Sequence, residues 1–108
     1  MSTRALQGSA RVFAALGDES RLRLVARLCA SGPTSIAKLT AGSGVTRQAI
    51  TKHLHVLADA GLVFSIRQGR ECQWKPKLQK LELARHHLDV ISQQWDDALG
   101  RLKAFVER

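Results

Sequence analysis

Cysteine, proline, acidic side chains and long apolar runs are all scarce in this chain of 108 residues. Two cysteines exclude a small fold stapled by disulfides. Two prolines and eight glycines fit ordinary globular usage and exclude a fibrous or Pro-rich chain. No apolar run approaches the roughly 18 residues that a membrane span requires. The opening Met1-Ser2-Thr3-Arg4-Ala5-Leu6-Gln7-Gly8 lacks the greasy stretch of a secretory signal, so a reducing cytoplasm is the expected compartment. No nucleophile is paired with a base and no carboxylates are set apart for acid–base work. Asp18-Glu19 and Asp96-Asp97 are merely adjacent, so no enzyme is expected.

The shortage of acids is the informative one. Nine Asp and Glu stand against 17 Lys and Arg, a formal net charge of +8. Such a surface attracts polyanions, nucleic acid foremost. The excess is not evenly spread. Residues 1–77 hold 12 basic and 4 acidic side chains, whereas residues 78–108 hold five of each. The last third is electrically balanced and is expected to do something other than bind a polyanion.

Breakers at Gly17-Asp18, Ser31-Gly32-Pro33, Gly42-Ser43-Gly44, Gly61 and Gln68-Gly69-Arg70 cut the chain into lengths suited to helices. A first helix is expected over 4–16, with Leu6, Ala10, Phe13, Ala14 and Leu16 as its apolar positions. Asp18 is placed to cap a second, with Leu22, Val25, Ala26 and Leu28 apolar and Arg21, Arg23 and Arg27 interleaved. Thr34 or Ser35 caps a short helix carrying Ile36, Ala37 and Leu39. After a tight turn, Thr46 caps a helix to about Ala60, with Ala49, Ile50, Leu54 and Leu57 inward. The period then changes: Leu62–Ile66 and Cys72–Trp74 read as a hairpin around the charged tip Arg67–Glu71. Residues 78–107 return to helix. Leu81, Ala84, Leu88, Ile91, Trp95, Leu99, Leu102 and Val106 step by three or four, a seam for another helix. A helix of that length overhangs so small a core, and a second copy of the chain is its simplest partner.

A short helix, a glycine turn and a capped second helix over 34–58 make a helix-turn-helix, and 62–76 make its wing. With Ile50, Leu54 and Leu57 inward, Arg47, Gln48, Thr51, Lys52 and His55 project outward. Arg suits guanine, Gln suits adenine, and Thr suits a base or a thymine methyl. Lys52, His55 and the helix start at Thr46 suit phosphate. Arg67 and Arg70 at the hairpin tip suit a narrow minor groove. Thr34 and Ser35, opening the short helix, complete the expected DNA-binding set.

Three stretches resemble one family. Phe13-Ala14-Ala15-Leu16-Gly17-Asp18-Glu19-Ser20-Arg21-Leu22-Arg23-Leu24-Val25 looks like the opening helices of ArsR/SmtB-type winged-helix repressors. Val45–Leu57 with Ala60-Gly61-Leu62-Val63 resembles their recognition helix and its exit into the wing. Trp95–Lys103 resembles a C-terminal helix of members without a known metal. The match runs from about residue 10 to 107. It implies a mainly α fold with a small β-hairpin, in the order α-α-α-α-β-β-α, as one winged helix-turn-helix domain. It further implies a homodimeric repressor on a palindromic operator of double-stranded DNA near its own promoter, joined through the first and last helices. Leu6, Phe13, Leu88, Ile91, Trp95, Leu99 and Leu102 are the expected interface. Metal-sensing members place Cys pairs in the short helix, or Asp, His and Glu along the last one. Thr34-Ser35-Ile36-Ala37-Lys38-Leu39 has no Cys, and His86 and His87, about 100° apart, do not face one ion easily. No metal and no cofactor are therefore expected. His86 and His87 are read as solvated, and Cys29 and Cys72 as buried free thiols. A small-molecule, metal or redox inducer stays open, with Glu82–His86 four apart as the one metal candidate. A protein-interaction winged helix and a metal- or thiol-responsive member are the alternative readings.

Overall fold

The computed structural model describes residues 2–107. Its elements are α1 (Thr3–Leu16), α2 (Glu19–Ser31), β1 (Thr34–Ser35), α3 (Ile36–Thr40), α4 (Arg47–Asp59), β2 (Val63–Gln68), β3 (Glu71–Pro76) and α5 (Leu78–Val106).

Side-chain caps explain most helix starts. The Asp18 carboxylate accepts from Arg21 N at 3.1 Å, and Thr46 Oγ1 accepts from Ala49 N at 3.1 Å. Each satisfies one of the orphan N–H groups at a helix start. Helix α4 stops at Gly61, whose φ of +78° suits glycine. There Leu62 N donates to Leu57 O and Gly61 N to Ala58 O, the paired bonds of a Schellman stop.

Strands β2 and β3 pair antiparallel from Val63↔Pro76 to Gln68↔Glu71. Gly69 (φ +61°) opens the two-residue loop between them, the position at which a primed turn needs positive φ. The sheet has a third member that the sequence reading lacked. Thr34↔Trp74 and Ser35↔Gln73 add β1 to the far edge of β3, giving the order β1-β3-β2. Two residues are too few to show an alternating pattern, so this strand leaves no periodic signal.

The core lies where α1, α2, α4, the sheet and the start of α5 meet: Val12, Leu24, Leu28, Leu39, Ile50, Leu54, Leu57, Leu62 and Trp74 are buried. Two helical faces differ from expectation. In α1 the buried positions are Ser9, Val12 and Ala15, while Leu6, Ala10 and Ala14 face out. In α2 Leu24 is buried instead of Leu22, and Ala26 is exposed. Both helices carry apolar residues around more than one face, so spacing alone left the inward face ambiguous.

Helix α5 has 29 residues, about 43 Å of helix. Only its first part is held by the rest of the chain: Ala84 and His87 are buried, and Leu81 and Val90 half-buried. From Ile91 to Glu107 every residue is exposed. The overhang gives the molecule its 67 × 30 × 20 Å outline. None of its helices is long and apolar enough to cross a membrane among the described residues.

Candidate nucleic-acid interface

Helix α4 is held by its apolar side, with Ile50, Leu54 and Leu57 in the core. That leaves Arg47, Gln48, Lys52 and His55 exposed and Thr51 half-buried. Its entry is fixed by a turn in which Gly42 (φ +70°) and Gly44 (φ +72°) both take positive φ. Ser43 Oγ knits that turn, donating to Thr40 O at 2.8 Å and accepting from Val45 N at 3.1 Å. The outward residues therefore sit on a helix with little freedom to tilt.

Two hydroxyls on α4 are committed internally. Thr46 Oγ1 caps the helix, and Thr51 Oγ1 donates to Arg47 O at 2.9 Å. Thr51 keeps its methyl and an acceptor lone pair for a base edge. Arg67 and Arg70 are exposed at the hairpin tip. Among the described residues, no ion pair involves Arg47, Lys52, Arg67 or Arg70. Their charges meet no carboxylate partner among the described residues, which is the condition for capturing phosphates.

The structure corrects Thr34 and Ser35. Thr34 is 5% exposed and Ser35 9%. Thr34 Oγ1 donates to Gly32 O at 2.8 Å, and Ser35 Oγ accepts from Lys38 N at 3.2 Å. Edge pairing with β3 buries both, so neither offers a surface to a duplex.

A contributor missed in the sequence is Arg27. Its guanidinium donates to Leu39 O at 3.1 Å and Lys38 O at 2.7 Å. These carbonyls belong to the last turn of α3, a helix of five residues with little stability of its own. Arg27 thus ties the first helix of the pair to α2. In the sequence it looked like one more surface cation. Wing and α4 also meet: the His55 ring lies 6.2 Å from the Trp74 ring, tilted by 53°.

Expectations for the other polar groups change too. Cys29 and Cys72 are exposed, not buried, because the interior of α2 is taken by Leu24, Val25 and Leu28 and Cys72 stands near the hairpin tip. His87 is buried, not solvated, and hydrogen-bonded through Nδ1 to Ser9 Oγ of α1. That leaves it unsuited to share an ion with the exposed His86. Among the described residues no three His, Cys, Asp or Glu side chains gather as a metal site would require.

A rigidly seated polar helix, the glycine turn before it and a cation-tipped hairpin beside it define a winged helix-turn-helix DNA-binding domain. Known proteins agree. A family model described as a helix-turn-helix domain matches residues 16–64. An ArsR-like transcriptional regulator from Rhodococcus sp. RHA1 superposes with a TM-score of 0.77 at 35% identity, covering 93% of each chain. The uncharacterized HTH-type transcriptional regulator YuzN of Bacillus subtilis is 42% identical over 65 residues, 55% of this chain and 71% of its own length. The arsenical resistance operon repressor of the same organism is 37% identical over 57 residues, and the match spans about half of each protein, 53% and 54%. The chain belongs to the ArsR family of transcriptional regulators. It is a regulator and not an enzyme.

Proposed function

We propose that the protein is a homodimeric repressor that binds a palindromic operator in double-stranded DNA near its own promoter, in the cytoplasm. Arg47, Gln48 and Thr51 read base edges in the major groove. Lys52, His55 and the α4 start at Thr46 hold phosphates. Arg67 and Arg70 reach the neighbouring minor groove or backbone. The observation that carries this reading is the unpaired polar face of α4 beside an equally unpaired hairpin tip.

Dimerisation is supported by the overhang. Leu88, Ile91, Trp95, Leu99 and Leu102 are exposed along α5, with Trp95 at 64% and Leu99 at 55%, and Leu6 is exposed on α1. A monomer gains nothing from an apolar stripe in water. Two copies packed through α1 and α5, with Phe13 at the margin, bury it and space two α4 helices for successive major grooves. The name of the Bacillus arsenical relative supports repression as the regulatory sense.

The test is a gel shift on the duplex upstream of its own gene, run as a salt series. We expect a discrete complex whose affinity falls on the order of 10³-fold between about 50 and 200 mM salt. Equal affinity for an unrelated duplex, or no complex in dilute salt, overturns the proposal.

A further inference from the structure

A second basic feature lies away from the α4 reading face. Between α1, the end of α4 and the start of α5 run two adjoining hollows of about 370 and 800 Å³, which share Arg11, Asp59 and Ala60. Arg4 and Arg11, seven residues apart, stand on one side of α1 and line the larger hollow. Lys80 of α5 closes it from across the cleft. Lys80 is placed there by Gly61: a Cβ on Gly61 would stand only 3.2 Å from Lys80 Cγ, so the bare glycine lets the lysine stem lie over the α4 stop. The smaller hollow has an apolar floor that includes Ala14, Val56 and Ala60.

Three cations thus face one carboxylate, Asp59. Among the described residues none of these four takes part in an ion pair. Two features set the charged side of the cleft apart from the surfaces already assigned, although Ala10 on its rim lies only about 40° around α1 from Leu6. On α1, Arg4 and Arg11 each sit two residues from Leu6 and Phe13, which places them about 160° away around the helix from the dimer face. On α4, Asp59 and Ala60 lie a dozen residues beyond Arg47 and Gln48, about 18 Å along the axis.

We propose that this cleft binds a small amphipathic organic anion: a carboxylate or sulfonate gripped by Arg4, Arg11 and Lys80, with its apolar body against Val56 and Ala60. The larger hollow is lined mainly by polar atoms and the smaller mainly by apolar ones, the pairing of orienting polar groups with an apolar wall that ligand sites use. A hollow lined by one sign of charge concentrates its counter-ion. Such an anion bridges α1, the dimer helix, to the end of α4, the reading helix. Its occupancy therefore biases how the two reading helices are held, and operator affinity changes with it. That regulatory consequence rests on the DNA-binding reading; binding in the cleft does not.

The experiment titrates the full-length ¹⁵N-labelled chain with sodium benzoate, and in parallel with the uncharged benzamide. Saturable amide shifts at Gly8, Arg11, Ala60, Gly61 and Lys80 are expected, with a dissociation constant on the order of 1 mM and benzamide at least about tenfold weaker. The double variant Arg11→Glu/Lys80→Glu loses benzoate by at least about tenfold, keeps a dispersed amide spectrum, and binds the operator as before in the absence of benzoate. If charge reversal prevents folding, Arg11→Gln/Lys80→Gln makes the same comparison. Unsaturable shifts, benzamide binding as well as benzoate, or a folded double variant that binds benzoate unchanged overturns the assignment. So does a fall in operator affinity of the variant without benzoate, which places these cations on the duplex. An operator that no sample binds sinks the DNA reading, and the benzoate titration still decides the cleft.

Discussion

Residues up to 77 and the helix that follows them solve opposite problems. The first region folds around a shared core, carries the whole charge excess and, among the described residues, leaves Arg47, Lys52, Arg67 and Arg70 without an ion pair. Helix α5 is balanced in charge and mostly without a core, and carries its apolar residues outside. The first region carries the reading head, yet its core takes in Ala84 and its α1 is hydrogen-bonded to His87, both from the start of α5. The second has an exposed apolar side, the one assigned above to the proposed dimer. In the proposed dimer, affinity for a palindrome draws on both: phosphates attract each reading head, and the tail doubles them.

Breaking the tail should have the largest effect. Trp95→Glu/Leu99→Glu places charges in the seam, and we expect monomers by light scattering and operator affinity reduced by at least about 100-fold, since one half-site is lost. A variant still dimeric by light scattering refutes the seam. Next comes the reading head. Arg47→Ala should cost about 1–3 kcal/mol on the operator and little on random duplex. Equal loss on both would mean that Arg47 touches only phosphate.

The joint between the regions is the third target. His87→Ala leaves the buried Ser9 hydroxyl without its partner, so thermal melting should report a loss of about 1–3 kcal/mol. At saturating protein the dimer and operator complex should persist. A smaller effect is expected at the wing, where Arg70→Ala should reduce the salt slope of operator binding by about one and weaken all sequences alike. The smallest concerns Asp18. The hydrogen bond from Arg21 N, with the Arg21 and His53 charges, holds its carboxyl below the ordinary value of 3.8. Its folded-state value is depressed, so its contribution is full above the unfolded value and is lost as pH falls through the folded one. Asp18→Asn should flatten the acid side of the stability curve below about pH 4 and lower neutral stability by the same small amount.

The fold was largely legible because its breakers are strong and its helices well capped. Asp18, Thr46 and Gly61 delimit α2 and α4 as expected. The hairpin followed from β-prone runs on either side of Gly69. What was hidden depends on partners distant in sequence. The pairing of Thr34 with Trp74 joins residues 40 apart, and its cost was the misassignment of Thr34 and Ser35. Arg27 gains its meaning only from carbonyls 11 and 12 residues ahead. His87 finds Ser9 across 78 residues. The faces of α1 and α2 were ambiguous because both have more apolar positions than one core can cover. For the outward set of α4 the apolar triplet Ile50, Leu54 and Leu57 left no choice.

The chain has two indoles, and the fold divides them between its halves. Trp74 is enclosed beside His55, with an Nε1 that has no hydrogen-bond partner among the described residues, whereas Trp95 stands in water on the overhang. Their intrinsic emission is therefore a pair of independent lamps. Self-association should shift Trp95 to the blue and leave Trp74 unchanged, whereas displacement of His55 should alter the quenching of Trp74. Trp→Phe replacement at either position isolates the other signal, so assembly and duplex capture can be timed separately without any attached dye.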